Sequence, residues 1–311
     1  MNKVLIVGSI VLDTLQTPYG QTKDALGGSV AYGSVASSLF APVNMVGVVG
    51  QDFDQEHINL FKSKGINLEG LEVADGLTFK WRAFYENDMN QAHTLETQLN
   101  AFAEFNPTIP ESYLDSEFVF LANIQPELQL NVLNQVKAPK FTMCDTMNLW
   151  ISTKKEQLTE VLKRVNLVLM NEGEARQYCE TPNLVLAAKQ ILSMGPQYVI
   201  IKKGEHGSLL FDKKGNIFAA PAYPLEHLKD PTGAGDTFAG GLVGYLAKCG
   251  EVNIHTLRQA VVVGSTLASF TAQEFSLDGL KVVTQDDLYE RYHQLQTLTA
   301  FDSLEPVAQM V

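Results

Sequence analysis

The sequence predicts an α/β fold: a doubly wound, mainly parallel sheet flanked by helices, carrying a small antiparallel β lid. Three observations lead there. Short apolar runs recur at Val4, Met45, Phe118, Phe141, Leu167 and Tyr198, and continuous rather than alternating hydrophobicity marks strands buried on both faces. Helical patterns lie between these runs, and strand–helix alternation over such a length builds a parallel sheet. One stretch, from Leu77 to Phe105, instead alternates polar and apolar residues, as strands with one wet face do.

Each element has a local reason. The first apolar run breaks at Gly8-Ser9 and ends on Asp13, so it reads as a buried strand rather than a signal sequence. Gly27-Gly28-Ser29 leads into an Ala/Ser-rich helix reaching Phe40. From Leu77 to Tyr85 the odd positions are apolar; after a turn at Asn87–Asn90, alternation through Leu95, Leu99, Ala101 and Phe105 predicts a second strand. The pair is an edge hairpin or a lid over a site. Pro126 sits where a helix would begin. Leu158, Val161, Leu162 and Val165 repeat at helical spacing, with Ser152 as the expected N-cap. With no linker or repeat, the expectation is a single domain over 1–311, its lid inserted at about 14–26 and 74–106.

Composition narrows the function. The chain has 311 residues, 45% hydrophobic and 19% charged, with a net charge of −12. An acidic body repels nucleic acid and anionic membrane, so neither is expected as a partner. An anionic substrate would need a locally positive or metal-assisted site. Cys144, Cys179 and Cys249 are irregularly spaced, giving neither a disulfide framework nor a zinc pattern and fitting a reducing cytoplasm. The apolar run Ala260–Phe270 is too short to span a bilayer.

The densest chemistry lies in Asp230-Pro-Thr-Gly-Ala-Gly-Asp236, followed by a helical pattern from Thr237. Gly233, Ala234 and Gly235 would form the helix's first turn, where unpaired N–H groups and the helix dipole favour an anion. Without bulky side chains a phosphate can reach the amides directly. Asp236 is then placed to take a proton from an attacking hydroxyl while the amides hold the transferring phosphoryl group. Asp230 is expected to hold the loop by accepting backbone N–H bonds.

DPTGAGD resembles the C-terminal signature of the ribokinase-like (PfkB-type) family of sugar and nucleoside kinases, with Pro231 where threonine is usual. The resemblance implies a ribokinase-like fold, Asp236 as catalytic base and an anion hole of Gly233, Ala234 and Gly235. Other stretches agree in order. Gly8-Ser9 to Asp13 looks like the first-strand motif whose aspartate binds substrate hydroxyls, and Gly27-Gly28 like the diglycine that substrate approaches closely. Where many family sugar kinases carry asparagine, this chain has Tyr32. Asn171 and Glu174 match an N-x-x-E motif that orders magnesium and nucleotide phosphates, Glu174 acting through water; the same spacing is a helix capping box. Lys202, Gly204 and Gly207 fall in a stretch resembling the nucleotide loop, where Lys202 is a phosphate contact or a solvated lysine. Asn123 and Asn148, each just after a predicted strand, are substrate candidates, and Arg82 on the flap is an exposed flap arginine or a group that approaches a phosphate when the lid closes.

The expectation is therefore an ATP- and Mg²⁺-dependent kinase acting on a hydroxyl of a small sugar or polyol. The alternative is a nucleoside kinase with the same mechanism, lid aromatics such as Phe79, Trp81 and Phe84 stacking on a base. A catalytically silent sugar- or nucleotide-binding protein is the distant alternative. A dinucleotide oxidoreductase is disfavoured, since no G-x-G-x-x-G follows the first strand. Some relatives use a monovalent cation such as K⁺. A homodimer through the lid is also among the expectations.

Overall fold

The computed structural model describes residues 1–303; residues 304–311 of the expected domain lie outside the described residues. The strands are β1 (Val4–Val7), β2 (Val11–Thr17), β3 (Gly20–Gly27), β4 (Val43–Val49), β5 (Asn67–Val73), β6 (Phe79–Tyr85), β7 (Ala92–Gln98), β8 (Phe118–Leu121), β9 (Phe141–Cys144), β10 (Leu167–Asn171), β11 (Tyr198–Lys202), β12 (Ser208–Asp212) and β13 (Ile217–Ala220). The helices are α1 (Ser29–Ser38), α2 (Gln55–Ser63), α3 (Pro126–Gln135), α4 (Asn148–Thr153), α5 (Lys155–Arg164), α6 (Glu172–Cys179), α7 (Leu184–Met194), α8 (Ala234–Cys249), α9 (Ile254–Ala272) and α10 (Gln285–Thr299).

Nine strands form one sheet in the order β13-β12-β11-β10-β9-β8-β1-β4-β5. The strands from β5 to β11 run parallel, and β12 and β13 add an antiparallel edge. The chain winds outward from β1 in both directions, so a crevice is expected at the carboxyl ends of β1 and β8. The two faces of the sheet explain the unbroken apolar runs. Along β1, Val4 and Ile6 pack into a core with Val35 of α1, Leu242 of α8 and Leu257 of α9. Leu5 and Val7 point the other way, toward Val132 of α3, Leu158 of α5 and Ile191 of α7. Each such buried side chain contributes about 1.5–3 kcal/mol. The small-residue face of α8 serves close packing: a Cβ at Gly240 would lie 2.6 Å from Gly33 Cα in α1.

The lid is a separate four-stranded sheet, ordered β3-β2-β6-β7. It consists of two antiparallel hairpins joined by a parallel β2–β6 pair. That pairing sets Asp13 opposite Trp81 and Thr14 opposite Arg82, so Asp13 and Arg82 stand on opposite faces.

Two local expectations are corrected. The strand predicted to run on to Phe105 stops at Gln98, and a 3₁₀ turn spans Asn100–Glu104. Asn100 adopts a left-handed conformation (φ 47°) and donates to the Thr78 carbonyl at 2.9 Å, a conformation asparagine tolerates better than most residues. Ser152 does not cap α5. It lies inside the short α4, its hydroxyl donating to the Asn148 carbonyl, and α5 starts at Lys155 without a side-chain cap. Among the described residues, no helix is long and apolar enough to cross a membrane.

Candidate active site

The site is assembled where β1, β8, β9, β10 and β11 end and α8 begins. Gly233 occupies the N-cap of α8 in a left-handed conformation (φ 76°) with no side-chain cap, a backbone state that glycine reaches without strain. The N–H groups of Gly233, Gly235 and Asp236 donate to no protein acceptor among the described residues. Ala234 is the exception to the expected anion hole. Its N–H donates to the Pro231 carbonyl at 3.2 Å and closes the preceding turn. The open donors are therefore Gly233, Gly235 and Asp236, with Ala234 contributing shape. Asp230 behaves as its position suggests: it is fully buried and one carboxylate oxygen accepts the Thr232 N–H at 2.9 Å.

Asp236 lies in the first turn of α8, and no hydrogen bond of its own stabilises its carboxylate. Burial, and next the charge of Asp145, push its pKa up to about 7, with Lys202 pulling the other way. A carboxyl poised near neutrality suits proton transfer at physiological pH. The residue as a whole is only partly buried.

Asp13 is not in a loop after β1 but within β2, the first strand of the lid sheet. It is buried, and a Cβ on Gly27 would collide with its carboxylate. Burial, then the charges of Asp230 and Asp236, hold its carboxyl well above the usual carboxylate range. Ser9 and Ser29 fix this corner reciprocally, each N–H donating to the other's hydroxyl at 3.1 and 3.3 Å. Gly28 (φ 94°) lets the backbone turn into α1 there. Tyr32 of α1 lays its ring against Gly233, where any Cβ would clash with it. Its hydroxyl is buried without a partner, and burial followed by the charge of Asp13 raises its pKa.

Asn171 and Glu174 form the complete capping box of α6, with bonds of 2.8 and 2.7 Å, and the Asn171 amide also donates to Glu174 at 2.7 Å. Burial and then Asp145 raise the Glu174 pKa. With both Glu174 oxygens engaged, the arrangement fits a magnesium ion held through water, as this ion commonly is. Among the described residues no three His, Cys, Asp or Glu side chains gather to ligate a metal directly. Gly204 and Gly207 shape the β11–β12 loop with positive φ. Gly207 is also required by packing, since a Cβ there would strike Ala220 and Pro221.

Two substrate candidates are placed differently. Asn148 is exposed at the start of α4. Asn123 accepts the Trp150 indole N–H at 3.0 Å and donates to Met147 sulfur at 3.3 Å, which ties β8 to α4. Arg82 lines a cavity of about 180 Å³ with Thr14, Lys80 and Glu96 on the face of the lid opposite Asp13. A second cavity, of about 130 Å³, lies beside β4 and β5; neither cavity is lined by Asp13 or Asp236. Sequence reasoning gave no role to Asp145, which is buried and accepts a hydrogen bond from the Lys202 ammonium at 2.5 Å. Asp145 directly follows β9 at the same sheet edge as the other site residues, and that placement was the available signal. It also missed Tyr85, whose hydroxyl bonds Thr232 at 2.9 Å and latches the lid to the signature loop.

Comparison with known proteins bears on the family and the fold. The chain matches the pfkB family carbohydrate kinase over residues 1–281. It is 30% identical to a cytidine kinase of Thermococcus kodakarensis, covering 84% of this chain and 96% of that one. The fold is shared with a nucleoside kinase of Methanocaldococcus jannaschii (TM-score 0.77, 23% identity, 94% of this chain and 99% of that one). It is shared equally with a fructokinase of Vibrio cholerae solved with fructose, ADP and calcium (TM-score 0.78, 18% identity, 94% and 99%). The match over most of the length, together with the relative aligned nearly end to end, decides the matter: this chain belongs to the pfkB family of carbohydrate kinases, phosphotransferases with an alcohol group as acceptor.

Proposed function

We propose that the protein transfers the γ-phosphoryl group of ATP to a hydroxyl of a small acceptor with neighbouring hydroxyls: a sugar, a polyol or the ribose of a nucleoside. The carrying observation is the convergence of three open backbone amides, the carboxylate of Asp236 and the unpartnered, buried carboxylate of Asp13 at one edge of the sheet. Asp13, lying against Gly27, accepts from two adjacent hydroxyls and orients the acceptor. Asp236 takes the proton of the attacking hydroxyl. The amides of Gly233, Gly235 and Asp236 donate to the oxygens of the transferring group, positioned before the charge develops. Mg²⁺, when bound, would supply positive charge to the phosphate oxygens; Asn171 and Glu174 would order its water shell. The β11–β12 loop at Gly204 and Gly207 lies on the nucleotide side. The chain acts as one ribokinase-like domain, with the lid excluding water during transfer.

Within this class a nucleoside acceptor has two supports. One is the 30%-identical cytidine kinase. The other is Trp81, in register with Asp13 on the neighbouring lid strand, where an indole can stack against a base while Asp13 reads the ribose. A fructokinase shares the fold, and a sugar or polyol needs only the Asp13 contacts. An ATP-consumption panel over sugars, polyols and nucleosides, with and without magnesium, tests the proposal. Turnover of nucleosides alone selects that class, turnover of free sugars alone selects the other, and no turnover with any acceptor refutes the kinase assignment.

A further inference from the structure

Lys202 ends β11, and its half-buried side chain forms an ion pair with the buried Asp145, the residue that follows β9. Asp145 is itself held, its other oxygen accepting the Thr146 N–H at 3.0 Å. The ammonium does more than join two strands. It lies 3.3 Å from where a Cβ of Gly235 would sit, beside the open amides of Gly235 and Asp236. A buried ion pair seldom stabilises a fold more than apolar residues would, so its position at the helix start calls for another reason. An anion seated on those amides comes within reach of the ammonium as well, because Gly235 has no side chain between them.

We propose that Lys202 is a catalytic cation that donates to the oxygens of the transferring phosphoryl group, with Asp145 as the positioning residue that aims it. The inference rests on the kinase reading above and adds a side-chain donor to the backbone amides of the hole. In the step, the acceptor oxygen bonds to the γ-phosphorus, the bond to the β–γ bridging oxygen breaks, and ADP leaves with that electron pair. The acceptor proton goes to Asp236. Lys202 keeps all its protons and contributes only hydrogen bonds and charge. Burial alone would push its pKa down, but Asp145, and after it Glu174 and Asp236, outweigh that effect and raise it, so the side chain arrives charged. Asp236 is faced by Asp145, by Lys202, by Glu174 of α6, by Asp13 of the lid and by Tyr32 of α1. Of these, Lys202 is the one cation, and it favours the ionised base.

The test uses Lys202→Met, Lys202→Arg, Asp145→Asn and the double variant Lys202→Met/Asp145→Asn, with an acceptor that the wild type phosphorylates. Lys202→Met should lower kcat by about 10²–10³-fold, the effect of removing one preorganised donor, with a much smaller change in KM for ATP. The acid limb of its kcat/KM profile should move to higher pH, because Asp236 loses the charge that favours ionisation. Lys202→Arg should recover part of the rate. The double variant removes both members of the Lys202–Asp145 pair, so neither is left without the other, which separates catalysis from folding: it should fold like the wild type and stay as slow as Lys202→Met. Recovery of the wild-type rate in the double variant would overturn the proposal, and so would a Lys202→Met kcat within about threefold of wild type. A wild type without turnover on any acceptor would instead remove the kinase reading, and this inference with it.

Discussion

The large sheet and the lid sheet answer to different rules. The strands at the centre of the nine-stranded sheet are buried on both faces, and their ends are fixed by helices packed on either side. The lid exposes much of β3 and β7 and meets the body at points such as Tyr85–Thr232 and Asn90 beside Gly204. Asp236, Lys202, Asp145 and Glu174 all belong to the body; Asp13 belongs to the lid. On the proposed reading the phosphate side of the reaction belongs to the body and the acceptor side to the lid, which is tied to the body by bonds such as Thr17 to the Lys229 carbonyl and Ser276 to the Leu26 carbonyl. That reading sets the chemistry common to all acceptors among the packed strand ends of the body and the selectivity on the more exposed lid sheet.

Changes on the body side should produce the largest effects. Asp236→Asn should cut kcat by about 10²–10⁴-fold, and calorimetry should find ATP binding retained. In the wild type, the acid limb of kcat/KM should fall near pH 7, because the base must be ionised and its pKa is raised to about 7. A limb near pH 4 would mean that Asp236 is not the base. On the lid side, Asp13→Asn should lower kcat/KM for the acceptor by about 10- to 100-fold, the worth of a hydrogen bond to a charged group, and leave the KM for ATP unaltered. If ATP binding suffers equally, the proposed division between body and lid is mistaken. Tyr85→Phe removes one lid contact and should change turnover by only about two- to tenfold, with a rise in acceptor-independent ATP hydrolysis as the readout.

The smallest expected effect concerns stability. The folded pKa of Asp236 stands above its unfolded value of 3.8, so the folded state holds this proton more tightly. Its contribution to stability is complete at low pH and is lost as pH rises toward 7. Asp236→Asn should therefore raise the thermal midpoint by about a few degrees at pH 8, and by almost nothing at pH 4. An equal gain at both pH values would contradict the sign.

The sequence made the body legible because its signals are local. Pro126 marked the start of α3, unbroken apolar runs marked the two-faced strands, and DPTGAGD marked an uncapped helix start. What stayed hidden depends on contacts between distant residues. Lys202 and Asp145 are 57 positions apart, and neither residue announces the other. The parallel β2–β6 pair, which sets Trp81 beside Asp13 and turns Arg82 away, arises from register between segments that no turn connects. Ala234 was misjudged for a different reason: turn geometry, which its side chain does not encode, commits its N–H to Pro231. Asn100 broke a convincing alternation because one left-handed residue can end a strand that hydrophobicity would continue.

The most direct test of the account is an amide NMR titration of the wild type with ADP, Mg²⁺ and aluminium fluoride, a mimic of the phosphoryl group in flight. The N–H resonances of Gly233, Gly235 and Asp236 should shift strongly downfield as they gain an acceptor, while Ala234, already bonded to Pro231, should move little. Unshifted Gly235 and Asp236 resonances in a saturated complex would contradict the claim that the start of α8 grips the transferring group.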